Sequence, residues 1–255
     1  MKQRTRKPRI VRVNGAVALL GIALTLAACG SSGSTTSDSA SATTAVAGST
    51  LPSSAIRTFR AEVWADNWFA LYLGDVKIGE DSVPITTERS FNSETFTFDG
   101  AYPLQLRAVS KDYIQDDTGL EYIGTDRQQV GDGGFILQIT DLSTAQVVAA
   151  TDASWKGFVV HAAPLNDCAD SKTPEQTCVH RITVEPPSWK ATTFNDSSWP
   201  NATVYTETQV GVKGGYTTIS WAPTAKLIWT ADLKVDNTIL WRRTVAAPDT
   251  VANGQ

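Results

Sequence analysis

Between residues 56 and 245 the apolar side chains recur at every second position, and no stretch repeats them at i, i+3, i+4 and i+7. A period of two sends alternate side chains to opposite faces of an extended chain, so one face can be buried and the other wetted. Trp68-Phe69-Ala70-Leu71-Tyr72-Leu73 sets Phe69, Leu71 and Leu73 on one face. Leu104-Gln105-Leu106-Arg107-Ala108 and Phe135-Ile136-Leu137-Gln138-Ile139-Thr140 alternate in the same way. Further strands are expected at 59–64, 95–98, 147–150, 155–161, 204–210, 227–231 and 239–243. Turn signals separate them: Gly74-Asp75, Asp99-Gly100, Asp132-Gly133-Gly134 and Gly214-Gly215. About ten short strands in roughly 190 residues predict an all-β fold, an antiparallel β-sandwich or jelly roll with one core.

Composition divides the chain into unlike pieces. Residues 1–28 hold six cations and no acid, so the other 227 residues carry 26 acids against 16 cations, a net −10. A chain this acidic, with no basic cluster, argues against a nucleic-acid partner. One Met and two His leave little for soft-metal sites. Residues 1–12 form a basic segment, and the apolar run Ala16-Val17-Ala18-Leu19-Leu20-Gly21-Ile22-Ala23-Leu24 follows, too short to span a membrane comfortably. Leu26-Ala27-Ala28-Cys29-Gly30 resembles the lipobox of bacterial lipoproteins. That resemblance implies a signal peptide over 1–28, removed to leave Cys29 acylated. Each buried methylene of its acyl chains contributes about 0.8 kcal/mol to anchoring. The implied address is the bacterial cell membrane, lipid-anchored and facing the outside or periplasm.

Residues 29–55 read as the lipidated Cys29 and a tether. Fourteen of the 26 residues from Gly30 to Ala55 are Ser or Thr, and none is aromatic. Such a segment cannot bury enough surface to offset its ordering entropy. As flexible coil it spans roughly 25–30 Å. All 8 Trp, 6 Tyr and 8 Phe fall in the domain of residues 56–245, and 246–255 reads as a flexible tail. Lipidation would consume Cys29 and leave Cys168 and Cys178, which the exported address predicts to be a disulfide. A redox-active pair is the alternative, but the nine-residue spacing lacks the C-x-x-C setting that lowers a thiol pKa.

Three segments carry a second resemblance. Trp64-Ala65-Asp66-Asn67-Trp68-Phe69-Ala70-Leu71-Tyr72-Leu73-Gly74-Asp75 resembles the ADNxFxLYVNG strand and turn of galactose-binding-like sandwich domains. Thr151-Asp152-Ala153-Ser154-Trp155-Lys156 and Phe194-Asn195-Asp196-Ser197-Ser198-Trp199-Pro200-Asn201-Ala202 resemble successive steps in the accessory β-sandwiches of rhamnosidase-type and β-galactosidase-type glycosidases. The final Ile239-Leu240-Trp241-Arg242-Arg243 is similar to their closing strand. The chain departs from the pattern at Gly74-Asp75, where the family has Asn-Gly, so another turn geometry is expected. The resemblance implies a galactose-binding-like jelly roll that recognises carbohydrate or supports a catalytic domain. It does not imply catalysis, and fold analogy is a weak warrant for function.

The residues themselves offer several chemistries. A glycosidase needs two carboxylates across a cleft, and Asp112, Asp116, Asp117, Glu121, Asp126 and Asp132 crowd the polar stretch 110–134. With 26 acids in the chain, such crowding is expected of a solvated loop as well. His161 and His180 lie near no G-x-S-x-G elbow. A structural Ca²⁺ could take Asp126 and Asp132 with nearby carbonyls, though the spacing is not that of an EF-hand. Sugar rings stack their C–H faces on exposed aromatics. Trp155, Trp199, Trp229 and Trp241 fall within the sandwich pattern and read as packing. Trp68 stands out of phase with its strand, and Trp189, Trp221, Tyr216 and Tyr113 lie in loops, so these five are the ligand candidates. Each has a plain alternative, covering an end of the sandwich. The expectation is a non-catalytic, lipid-anchored, glycan-binding module. The alternatives are an envelope scaffold module without a sugar site and, third, a glycosidase or esterase.

Overall fold

The computed structural model describes residues 10–11, 55–87, 89–113 and 115–248. Cys29, nearly all of the expected signal peptide and tether, and most of the expected tail lie outside the described residues. Within them, the two-residue strand β1 (Ile10–Val11) runs parallel to Thr97–Phe98. The domain is an all-β sandwich. Its chain order is β2 (Arg57–Asp66), β3 (Trp68–Leu73), β4 (Val76–Glu80), β5 (Asn92–Gly100), β6 (Leu104–Lys111), β7 (Leu120–Glu121), β8 (Gln129–Val130), β9 (Gly134–Asp141), β10 (Gln146–Ala150), β11 (Lys156–Ala162), β12 (Arg181–Ile182), β13 (Thr203–Tyr205), β14 (Leu227–Trp229) and β15 (Asp236–Val245). One sheet runs β1-β5-β2-β9-β14-β13 with β10 also on β9, and the other runs β12-β11-β15-β6-β3-β4. The β7–β8 hairpin stands apart from both.

The alternation predicts the inner faces well. Phe59, Ala61, Val63 and Ala65 of β2, Phe69 and Leu71 of β3, and Phe135, Leu137 and Ile139 of β9 meet Trp155, Trp229 and Trp241 in the central core. The buried indoles each find an acceptor: Trp155 donates to the Ala150 carbonyl at 2.9 Å, Trp229 to the Asp236 carbonyl at 2.7 Å and Trp241 to Ser110 Oγ at 2.7 Å.

The outer faces are covered too, by the long connections late in the chain. Trp189 and Trp199 pack on Leu240 outside one sheet. Val210, Tyr216, Ala225 and Leu227 pack with Trp64 and Ile136 outside the other. Arg242 holds the first cover in place. It is 3% exposed, donates to Asp196 Oδ2 at 2.7 Å and to the carbonyls of Trp189, Ala191 and Phe194, and lies over the Phe194 ring. The Cys168–Cys178 disulfide is formed, with Cα atoms 5.4 Å apart. It closes a polar loop around the short helix α1 (Pro174–Thr177).

Two local expectations are corrected. The stretch 204–210 is not one strand: β13 stops at Tyr205, and α2 (Glu207–Val210) begins at once. Thr206 caps that helix, its side chain accepting from the Gln209 amide while Gln209 accepts from the Thr206 amide. This reciprocal pair satisfies two orphan donors and outweighs the alternation. The glycines of 131–134 are not merely a turn. A Cβ at Gly131 would lie 2.3 Å from Asp112 Oδ2, and one at Gly133 would lie 2.4 Å from the Trp229 ring. Close packing requires glycine there. At Gly74 the backbone is left-handed, φ +58°, which suits the Gly-Asp turn.

Candidate functional site

Loops from distant parts of the sequence meet at one end of the sandwich, where binding residues of such folds collect. Asp66 ends β2, Asp112 follows β6, Glu121 ends β7 and Asp132 precedes β9. Asp66 and Asp112 are each 1% exposed and Glu121 is 3% exposed. Lys213, on the segment after α2, reaches across from the other side. Its Nζ donates at 3.0 Å to both Asp66 Oδ2 and Asp132 Oδ1. The backbone braces the group: Asn67 N–H donates to the Lys111 carbonyl at 2.8 Å, and Tyr113 N–H donates to Asn67 Oδ1 at 2.5 Å.

Four carboxylates around one ammonium cannot all ionise cheaply. Burial raises the Asp66 carboxyl to about 7, with Lys213 opposing and Asp132 and Glu121 adding to the rise. Burial raises Asp112 well above the usual range as well, and Asp66, Glu121 and Asp132 push the same way. Neither Asp112 oxygen has a hydrogen-bond partner among the described residues. Burial works against the Lys213 charge, but Asp66 and Asp132 outweigh it and keep the ammonium charged.

Beside this group opens a cavity of about 240 Å³, lined by Arg89, Phe91, Glu121, Tyr122, Gln129 and Lys213. Two half-buried aromatic rings face it from different loops. The Arg127 guanidinium lies 4.3 Å from the Tyr122 ring centre, and Lys213 Nζ lies 5.3 Å from that of Phe91. Gln129 donates to Glu121 Oε2 at 3.0 Å and orients it. The cavity therefore brings together two aromatic rings, each with a cation over one face, one oriented carboxylate, a carboxamide and cations. A hydroxylated ring has complementary needs.

The residues singled out in the sequence scatter around this place. Tyr113 and the half-buried Trp68 sit at the same end, on the two sides of the Asn67–Lys111 contact; Lys111 Nζ lies 5.3 Å from the Trp68 ring centre. Tyr216 is 7% exposed, edge-on to Trp64 with ring centres 5.5 Å apart. Trp221 donates to the Tyr216 carbonyl at 3.1 Å and packs on its ring at 5.8 Å. Trp189 is 4% exposed and donates to Glu185 Oε2 at 3.2 Å. A ring enclosed in this way presents no face for stacking, so Trp189 and Tyr216 pack the outer layers. Asp126 is exposed on the hairpin tip, and Asp132 pairs with Lys213. Among the described residues no three His, Cys, Asp or Glu side chains are grouped to hold a metal ion. Arg89, Phe91 and Lys213 carried no signal in the sequence. Asp66 lay inside a recognised segment, but as part of its turn.

No protein-family model matches the chain, and neither any curated protein nor any solved structure matches it.

Proposed function

We propose that the chain is a lipid-anchored extracytoplasmic protein whose β-sandwich binds carbohydrate in the cavity beside Tyr122, without acting as an enzyme. The observation that carries the reading is the lining of that cavity, where Phe91 and Tyr122 stand with Arg89, Glu121, Gln129 and Lys213. Aromatic faces take the C–H face of a sugar, and fixed polar groups take its hydroxyls. The resemblance of residues 64–75, 151–156 and 194–202 to carbohydrate-associated sandwich domains supports the same reading, and the lipobox at Cys29 supports the anchor.

Glycoside hydrolysis requires two carboxylates facing each other across the sugar. Glu121 lines the cavity, while Asp66 and Asp112 are outside its lining and almost wholly enclosed. That arrangement favours binding over hydrolysis. The test is a glycan array probed with the full chain in detergent, with the retained glycans then incubated and examined for cleavage. Retention of a defined glycan class, uncleaved, is expected. A blank array defeats the reading, and release of shortened sugars replaces it with the hydrolytic one.

A further inference from the structure

We propose that the cavity beside Tyr122 and a larger cavity at the tip of the same hairpin form one groove for an extended polysaccharide, with the disulfide-closed loop as its far wall. The inference rests on the carbohydrate reading above and adds to it the length of the ligand.

The two cavities share the β7–β8 hairpin. Its stem, Glu121, Tyr122 and Gln129, borders the smaller one. Its tip borders the larger one, of about 570 Å³, and Asp170, Ser171 and Lys172 face the tip from across it. Tyr122 of the smaller cavity adjoins Ile123 of the larger, and the turn there, closed by Thr125 N–H donating to the Tyr122 carbonyl at 3.1 Å, keeps the two linings next to each other. The smaller cavity has room for about one ring. The larger lies within the range of cavities that enclose small organic ligands, about 300–1,000 Å³.

Both walls are held before any ligand arrives. Gly124 N–H donates to Gln128 Oε1 at 2.9 Å, and Thr125 Oγ1 donates to the Tyr122 carbonyl at 2.7 Å. Gln128 Nε2 reaches over to the carbonyls of Ala169 and Ser171, at 2.6 and 2.9 Å, and pins the hairpin to the opposite wall. That wall is closed by Cys168–Cys178, with Ser171 N–H donating to the Cys168 carbonyl at 2.9 Å. Pre-ordered walls spare a ligand the entropy of ordering them. The chemistry changes along the groove. The aromatic rings belong to the small cavity, while the large one is bordered by two hydroxyls, a carboxamide, two carboxylates and an ammonium. A polymer of sugars would stack one unit at Tyr122 and hydrogen-bond the next units beyond it.

The experiment titrates the full chain in detergent with glucose, N-acetylglucosamine, mannose and galactose, each as monosaccharide, trisaccharide and hexasaccharide. One series is expected to bind, with the hexasaccharide tighter than the monosaccharide by tenfold or more. Asp126→Ala with Lys172→Ala, both on exposed tips, should remove most of that advantage. Cys168→Ser with Cys178→Ser should do the same, and a melting curve reports whether this second pair still folds. Equal affinity at every length, or a length advantage indifferent to Asp126→Ala/Lys172→Ala, overturns the groove and leaves the single cavity standing. No binding by any series at any length overturns the carbohydrate reading, and the groove with it.

Discussion

Raising the pH from about 4 to about 8 should weaken this fold, because its buried acids hold protons that the unfolded chain gives up. Asp66 sets the scale. Its carboxyl moves from 3.8 to about 7. Between those values the folded chain binds a proton that the unfolded chain has lost, so stability falls as pH rises through the interval. Roughly three pH units at about 1.36 kcal/mol each give a ceiling of about 4 kcal/mol. Burial raises Asp112, Asp81 and Asp236 too, Asp81 to about 6, and these add in the same direction. His161 opposes them. Burial lowers it, so the unfolded chain takes up a proton near 6.5 that the folded chain refuses, and its contribution is lost as pH falls. Asp141 is held low by Ser143 and Arg57 against its burial, so its contribution is lost only below 3.8, outside the interval. The acids should win. Urea unfolding of the chain at constant ionic strength measures the slope, and Asp112→Asn isolates one source of it. Asparagine keeps the shape without the charge, and Asp66, Glu121 and Asp132 around it are acceptors. The variant should match or exceed the parent at the alkaline end and show a shallower slope. A parent profile that is flat or rises with pH refutes the reasoning. So does a loss of about 3–5 kcal/mol in Asp112→Asn, which is what breaking a needed buried pair costs.

Other consequences can be checked separately. Arg242→Ala leaves the Trp189 and Phe194 carbonyls and Asp196 without their donor, and the Ala191 carbonyl with the Phe194 N–H alone, and should cost about 2–5 kcal/mol in chemical unfolding. Gly133→Ala drives a methyl into the Trp229 ring and should cost about 1–3 kcal/mol, with altered Trp fluorescence in the folded state. Cys29→Ser should fail to incorporate labelled palmitate and should leave the membrane fraction.

The sandwich was legible because alternation is a local property: Phe69 and Leu71, or Phe135 and Leu137, announce an inner face without reference to anything distant. The outer layers were not. Trp189 follows Pro186-Pro187 and Trp221 precedes Ala222-Pro223, so both read as loop residues, ligand candidates or covers of an end of the sandwich. They pack because the connections that carry them fold back over the sheets, and no local pattern encodes that. The site was legible only in part. The acids of 110–134 were visible as a group, and Glu121 and Asp112 belong to the arrangement found. Lys213 stands 147 residues from Asp66, and nothing near either one signals the contact. Phe91 likewise gains its place from tertiary contact alone. The 204–210 segment misled because Thr-x-x-Gln capping chemistry lay across an otherwise acceptable alternation.

The measurement closest to the central claim is a backbone amide NMR titration of the chain with the oligosaccharide that the array retains. Binding at the proposed cavity predicts shifts concentrated at Arg89, Phe91, Glu121, Tyr122, Gln129 and Lys213, and their loss in Phe91→Ala/Tyr122→Ala with the remaining spectrum intact. Shifts confined to another face, or unchanged affinity in that double variant, would contradict it.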